Sequence, residues 1–332
     1  MKKFLSVLLA AVLALSLAAC GGGDSSAAGG SSAAAGGSSA AAGGEDKVRI
    51  GLSIAGLTMP YYVRMYDGFM EAAEKKGYEV IFADGGSDAE STVRAVEDLI
   101  SNDIDALAVS TNYSEALVDS FAKCEEMGIP IFYIGNLQLI PEAQEYMTFW
   151  EGTKADSAGY LGGEWVAQYL DSINYKKDLN IICVSKMLDT LLQRYEGFER
   201  ALEENGYTVN LINTVGDLPR ETALSACEDA LMANDDVDIF FGTAGTSSLG
   251  AYDATQNMGR DEVMVVGFDG EDEEIQHIDE DTNYIATICQ QPALESAVTV
   301  DAIETVLGGG TVEGGHETPA IIYGKGVGYV ED

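Results

Sequence analysis

Positive charge is scarce in this 332-residue chain: 18 Lys and Arg stand against 55 Asp and Glu, a formal net charge of −37. Nucleic acid and anionic membrane surfaces repel such a chain, so nucleic acid is not expected as a partner. Histidine is scarcer still. His277 and His316 have no ligand-like spacing to any cysteine, which argues against zinc. The acidic runs Glu271-Asp272-Glu273-Glu274 and Asp279-Glu280-Asp281 lack the alternation and turn glycine of a calcium loop, so they read as solvated loops. No metal and no other cofactor is expected. Gly-x-Ser-x-Gly is missing, as is a Walker sequence ending in Gly-Lys-Ser/Thr, and the glycine-rich run 242–250 has no lysine for a phosphate. An enzyme is therefore not expected. Apart from Cys20, the cysteines are Cys124, Cys183, Cys227 and Cys289, with no Cys-x-x-Cys among them. They fall inside helical and strand-like segments and read as small buried hydrophobes with free thiols.

Long apolar runs are also missing, except at the start. Lys2 and Lys3 precede the apolar stretch Phe4 to Leu17, which has signal-peptide length and is too short to span a membrane. It ends in Leu17-Ala18-Ala19-Cys20, which resembles the lipobox of bacterial lipoproteins, with Cys20 as the lipidated residue. Cleavage before Cys20 would remove both lysines and leave 16 basic against 55 acidic residues, or −39. From Gly21 to Asp46, 26 residues are almost all Gly, Ser and Ala. A flexible coil of this kind spans roughly 28 Å on average. The expectation is an extracytoplasmic domain held to the cell membrane by its N-terminal lipid. Residues 1–19 are the signal peptide and 20–46 the lipidated cysteine and linker.

From Lys47 onward, 286 residues suffice for two domains of ordinary size. Short apolar runs alternate with helical patterns. Strands are expected at Val48–Ala55, Glu79–Ala83, Ala106–Ser110 and Ile129–Ile134. Helices are expected at Tyr61–Lys76, after Pro60, and at Asp88–Asn102 and Ser114–Met127. After an irregular stretch from Leu137 to Glu145 the rhythm restarts. Strands follow at Leu179–Ser185, Thr208–Thr214, Asp238–Phe241 and Val263–Phe268, with helices at Ala155–Leu170, Leu191–Glu204, Arg220–Ala233 and Thr246–Met258. Two such runs predict an α/β protein of two doubly wound, parallel-sheet lobes. Ligands in such sheets sit beyond the carboxyl ends of strands, so the residues after each strand are the candidates.

An ordered series of motifs then resembles one family. Ile50-Gly51-Leu52-Ser53, Leu57 to Tyr62, Asp67-Gly68, Gly128 to Ile131, Arg194 to Phe198, Val265 to Gly270 and Ile285 to Pro292 follow one another as in type I periplasmic sugar-binding proteins, nearest the ribose-binding group. The resemblance covers the chain from Lys47 onward. It implies two lobes joined by a three-strand hinge, with crossings near Met147 to Gly152, at Gln290 and near Ile322. Residues 47–150 and 291–322 would form the N-terminal lobe, and 151–290 and 323–332 the C-terminal lobe. It also implies a small ligand, a sugar or sugar derivative, captured by hinge closure and delivered to the permease subunits of an ABC transporter. Nothing in the sequence calls for oligomers, so a monomer is expected.

The resemblance also assigns site residues. Tyr61 and Tyr62 match paired aromatics that pack on the apolar faces of a sugar ring. Asp269, after an apolar strand and before Gly270, offers a carboxylate to hydroxyls, each such bond contributing about 1.5–3 kcal/mol. Arg194 brings a fork of donors, and Gln290 matches a hinge glutamine that touches the ligand. Other positions depart from the ribose-type pattern. Ser110 stands in place of an Asn after the third strand, with Asn112 and Tyr113 close by. Gly135-Asn136 replaces Asp-Arg after the fourth. Gly242 to Gly245 replaces an expected Asn, and Met59 and Leu218 replace an Asn and an aromatic. Ser110 and Asn136 are taken as ligand contacts in this altered site. Ribose hydroxyls left unpaired cost roughly 1–3 kcal/mol each, and a micromolar site supplies only about 8 kcal/mol. That argues for a deoxy sugar, a substituted sugar or another partly apolar molecule rather than ribose. A ligand-presenting sensor for a membrane receptor, or an importer component for a non-sugar metabolite, remains as an alternative. A lac-type repressor shares the fold but needs an N-terminal DNA-binding domain.

Overall fold

The computed structural model describes residues 47–135 and 139–326. Cys20, the signal and linker segments, and Asn136 lie outside the described residues.

The first sheet is built from β1 (Arg49–Ile54), β2 (Glu79–Asp84), β3 (Ala106–Ser110), β4 (Ile131–Ile134), β5 (Met147–Gly152) and the two-residue β11 (His316–Glu317). Their order is β11-β5-β4-β3-β1-β2, with every pairing parallel. The second sheet uses β6 (Asp178–Val184), β7 (Thr208–Val215), β8 (Ile239–Gly242), β9 (Met264–Phe268), β10 (Tyr284–Cys289) and β12 (Ile321–Gly324). Its order is β12-β10-β9-β8-β6-β7, and only β12 is antiparallel, beside β10. Near-continuous apolar runs in the central strands match sheets covered on both faces: β3, β4, β8, β9 and β10 are buried throughout.

Helices fill the connections: α1 (Pro60–Lys76), α2 (Ala89–Ile100), α3 (Val118–Met127), α4 (Pro141–Gln144), α5 (Ala155–Ser172), α6 (Asp189–Glu204), α7 (Arg220–Ala233), α8 (Gly245–Met258), α9 (Asp272–Asp279) and α10 (Pro292–Leu307). Helix α1 starts with Pro60 in its first turn and stops at Gly77, whose φ of 77° ends the helix in the left-handed region. Among the described residues no helix is long and apolar enough to cross a membrane.

Several expectations need correction. The stretch 137–145 is not wholly irregular, because Pro141 starts the short α4. Ser114–Leu117 is a 3₁₀ turn ahead of α3 rather than its first turn. The third passage between the sheets falls at 318–320, ahead of Ile322, because Ile321 already pairs with Cys289. The acids at 271–274 are not a solvated loop. They open α9, where Glu271 N donates to Glu274 Oε2 (2.7 Å), and Glu274 is fully buried. Its carboxyl accepts bonds from Ser248 Oγ (2.9 Å), Thr287 Oγ1 (3.0 Å) and Tyr284 OH.

The four cysteines are buried and free. Burial pushes the Cys124 thiol up to about 11 and those of Cys183, Cys227 and Cys289 to about 12. Helices α5 and α6 approach so closely that their backbones touch. A Cβ at Gly159 would overlap Arg194 O, and one at Gly197 would overlap Asp156 O.

Candidate functional site

In each sheet the chain leaves the first strand on one side and returns on the other, which opens a crevice at the carboxyl ends. The two crevices face each other. Met59, Tyr61 and Tyr62 follow β1, and Asn112 follows β3. Across from them, Leu188, Thr190, Leu191 and Arg194 follow β6, Leu218 follows β7, Ala244 follows β8 and Asp269 follows β9. Gln290, at the end of β10 where the chain passes between sheets, completes the lining of a cavity of about 50 Å³. That is room for a few water molecules.

Asp269 is the centre of the polar floor. Its Oδ1 accepts from Gln290 Nε2 (2.6 Å) and its Oδ2 from Gly245 N (3.1 Å), the first residue of α8, where the helix dipole favours negative charge. A φ of 91° is costly for a residue with a Cβ, and the bond from Asp269 N to Ile288 O (2.8 Å) holds it there. Arg194 lies 3.6 Å from Asp269 Oδ1, donates from Nη1 to Thr243 O (2.6 Å) and stacks over the Phe268 ring at 3.9 Å. Burial lowers its pKa from the usual arginine value, and the nearby Asp269 carboxylate opposes this.

The opposite wall is aromatic. The Tyr61 and Tyr62 rings meet edge-on at 5.2 Å. Tyr61 OH donates to Glu295 Oε2 (3.2 Å), and Asn112 Nδ2 donates to Tyr62 OH (3.3 Å). Burial raises both phenol pKa values, so both stay neutral and able to donate. Two buried polar atoms in this lining, Gln290 Oε1 and Thr190 Oγ1, have no hydrogen-bond partner among the described residues. Such atoms are rare inside proteins and call for an occupant.

The lobes are latched beside the cavity. Arg64, on α1, donates from Nη2 to Asp269 O (2.7 Å) and from Nη1 to Gly270 O (3.1 Å). The cavity-lining Asp269 and the latch thus share one stretch of backbone.

The structure brings Tyr61, Tyr62, Arg194, Asp269 and Gln290 together around one cavity. Ser110 is buried at the end of β3, where its main-chain O accepts from Ala55 N (3.0 Å), and it is not part of the lining; Asn112 is. Ala244, in the run that stands where an Asn was expected, lines the cavity, and so do Thr190, Leu188 and Leu191, which sequence reasoning did not single out. Their position just after β6 was the available signal.

Behind Tyr61, Glu295 is fully buried on α10, at the second passage between the sheets. Its Oε1 lies 2.8 Å from Thr153 Oγ1, which is also 3.0 Å from Thr318 O, so the hinge segments converge on it. One hydroxyl proton cannot serve both acceptors. A proton on Glu295 resolves the count, since Glu295 then donates to Thr153 and Thr153 to Thr318. Burial indeed pushes the Glu295 carboxyl up to about 7, and it likewise pushes Glu271 to about 7 and Glu274 to about 8. With ordinary carboxyls near 4.5 in the unfolded chain, the folded state holds the extra protons between these values. Stability should therefore fall as pH rises from 5 to 8. Melting temperatures at unit pH intervals check this, and Glu295→Gln with Glu274→Gln should flatten the slope. A wild-type melting temperature that stays level or climbs over this window contradicts it.

The family model for the periplasmic binding protein domain matches residues 50–311. The chain belongs to this family. Among its curated relatives, the ribose import binding protein of Bacillus subtilis is 26% identical over 265 residues, covering 80% of this chain and 83% of that one. A periplasmic solute-binding protein from Actinobacillus succinogenes, solved with bound D-allose, superposes with a TM-score of 0.76 at 24% identity, covering 84% of this chain and 98% of its own. A solute-binding protein from Bacillus halodurans, solved with myo-inositol, gives a TM-score of 0.74 at 23% identity, with 84% and 94% covered. The two-lobed architecture of this periplasmic binding protein is that of its structural neighbours.

Proposed function

We propose that the chain is the extracytoplasmic substrate-binding component of an ABC importer, and that it captures a small carbohydrate by closing two lobes. The observation that carries this reading is the cluster of Asp269, Arg194 and Gln290, buried at converging strand ends and faced by two tyrosines. Carboxylate, guanidinium and amide together supply donors and acceptors for several hydroxyls, while the rings cover apolar C–H faces. The names of the relatives, ribose import among them, point the same way. The curated relatives named as import binding proteins support a chain that binds rather than catalyses. Both lobes line the cavity and Arg64 latches them beside it, so uptake is expected to require them to part.

A thermal-shift screen against sugars, polyols, nucleosides and amino acids tests the reading. A ligand at one hundred times its Kd stabilises a one-site protein by about 2.7 kcal/mol. One carbohydrate class is expected to raise the melting temperature; a shift only with amino acids or nucleosides would remove the sugar and keep the fold.

The anchoring expectation extends this proposal: lipid on Cys20 would hold the domain at the membrane, working as a monomer with the permease subunits. Cys20→Ser should move the chain from the membrane fraction to the soluble fraction, and unchanged membrane retention counts against the anchor.

A further inference from the structure

Polarity in the cavity is graded by depth. Tyr61, Tyr62, Thr190, Arg194, Asp269 and Gln290 are all buried, as are the apolar Leu191 and Ala244, whereas Met59, Leu188 and Leu218 are only half-buried, together with one polar residue, Asn112. Most of the polar groups lie at the buried end, and the three apolar side chains lie at the more exposed end beside Asn112. Those three are drawn from separate segments: the turn before α1 in one lobe, and the loops after β6 and β7 in the other. Three apolar side chains on unrelated loops converge on one rim without a polar atom to offer.

The floor imposes the complementary demand. Gln290 Nε2 faces the Asp269 carboxylate, an acceptor, which fixes the amide so that Oε1 is left as the buried, unpartnered acceptor of a cavity-lining residue. Oε1 can only accept, so the occupant must bring an O–H or N–H to it. Thr190 Oγ1, buried and unpartnered, asks for a second polar group at the same depth.

We infer that the ligand is an amphipathic sugar, a deoxy or alkyl-substituted monosaccharide whose hydroxyls reach the Asp269–Gln290 floor and whose methyl group lies against Met59, Leu188 and Leu218. The inference rests on the carbohydrate reading above and adds the substituent. A hydroxyl placed against those three side chains loses water and gains no partner from them, whereas a methyl gains apolar contact. The two effects act in the same direction.

Calorimetric titration of the full chain with matched pairs tests it: L-fucose against L-galactose, L-rhamnose against L-mannose, and D-glucose against its methyl glycosides. The deoxy or methylated member of at least one pair should bind roughly tenfold tighter or more. In that pair, Leu218→Asn and Met59→Asn should narrow or reverse the preference; both side chains are half-exposed, and circular dichroism verifies the fold. Pairs that bind with equal affinity, or in which only the fully hydroxylated member binds, overturn the inference and leave carbohydrate capture standing. A chain that binds no member of any pair, yet is stabilised by an amino acid or nucleoside, overturns the carbohydrate reading and this inference with it.

Discussion

Replacing Asp269 with alanine is expected to weaken carbohydrate binding about a hundredfold or more. A carboxylate that accepts two ligand hydroxyls contributes about 1.5–3 kcal/mol per bond, and among the described residues no other carboxylate lines the cavity. Gln290 Nε2 and Gly245 N, which now donate to Asp269, would also be left facing the ligand as surplus donors. Arg194 adds a complication, because it loses the carboxylate 3.6 Å away while remaining buried. The alanine variant should therefore melt earlier as well. Asp269→Asn separates the two effects: it keeps the shape, tolerates the positive φ and still accepts from Gly245 N, but carries no charge. Calorimetry should show reduced affinity in both variants, with the asparagine chain closer to wild type in its melting temperature. Wild-type affinity in the alanine variant would remove Asp269 from the site.

The second large effect is expected at a residue that does not itself line the cavity. Gly159→Val puts a branched side chain where even a Cβ overlaps Arg194 O, and the obstacle is backbone, which cannot rotate away. The only relief is to separate α5 from α6, and α6 carries Arg194, Thr190 and Leu191 into the cavity. Overpacking of this kind costs about 1–3 kcal/mol or more, and each kcal/mol lowers the melting temperature by about 2–4 °C in a domain of this order. Affinity should drop in the same variant because the guanidinium moves with its helix. Gly314→Ala is the control: nothing lies within 4 Å of a Cβ there, and melting should be unchanged. If Gly159→Val melts with the wild type, the two backbones do not touch as described.

Both features bear on what a sequence can disclose. The alternation of apolar strands and amphipathic helices was legible because each element carries its own period, so Ala106–Ser110 and Arg220–Ala233 match their expected bounds. Asp269 was legible for a related reason, since a polar residue directly after an apolar strand lands on the edge that lines the cavity; Gln290 was reached only through the family resemblance. Glu274 was not. Four acids in a row look like solvent-facing residues, and only the meeting of Ser248, Tyr284 and Thr287 from other elements turns one of them inward. Glu295 is hidden for the same cause, since Tyr61 and Thr153 lie 234 and 142 residues away. The two-residue β11 is too short to carry any period, and its pairing with β5 depends on where the chain returns. Local pattern reports what a segment prefers; long-range partners decide which polar group is buried.

The buried thiols have a practical consequence. With values near 11 to 12, Cys124, Cys183, Cys227 and Cys289 carry almost no thiolate at neutral pH and are shielded by the folded core. Maleimide dyes will pass over them while the protein is folded. A pair of cysteines introduced at exposed positions on opposite lobes, such as Val63 and Met187, would then be the reactive thiols of this region. A fluorescence ruler across the cleft could be installed without first stripping the native cysteines from the core.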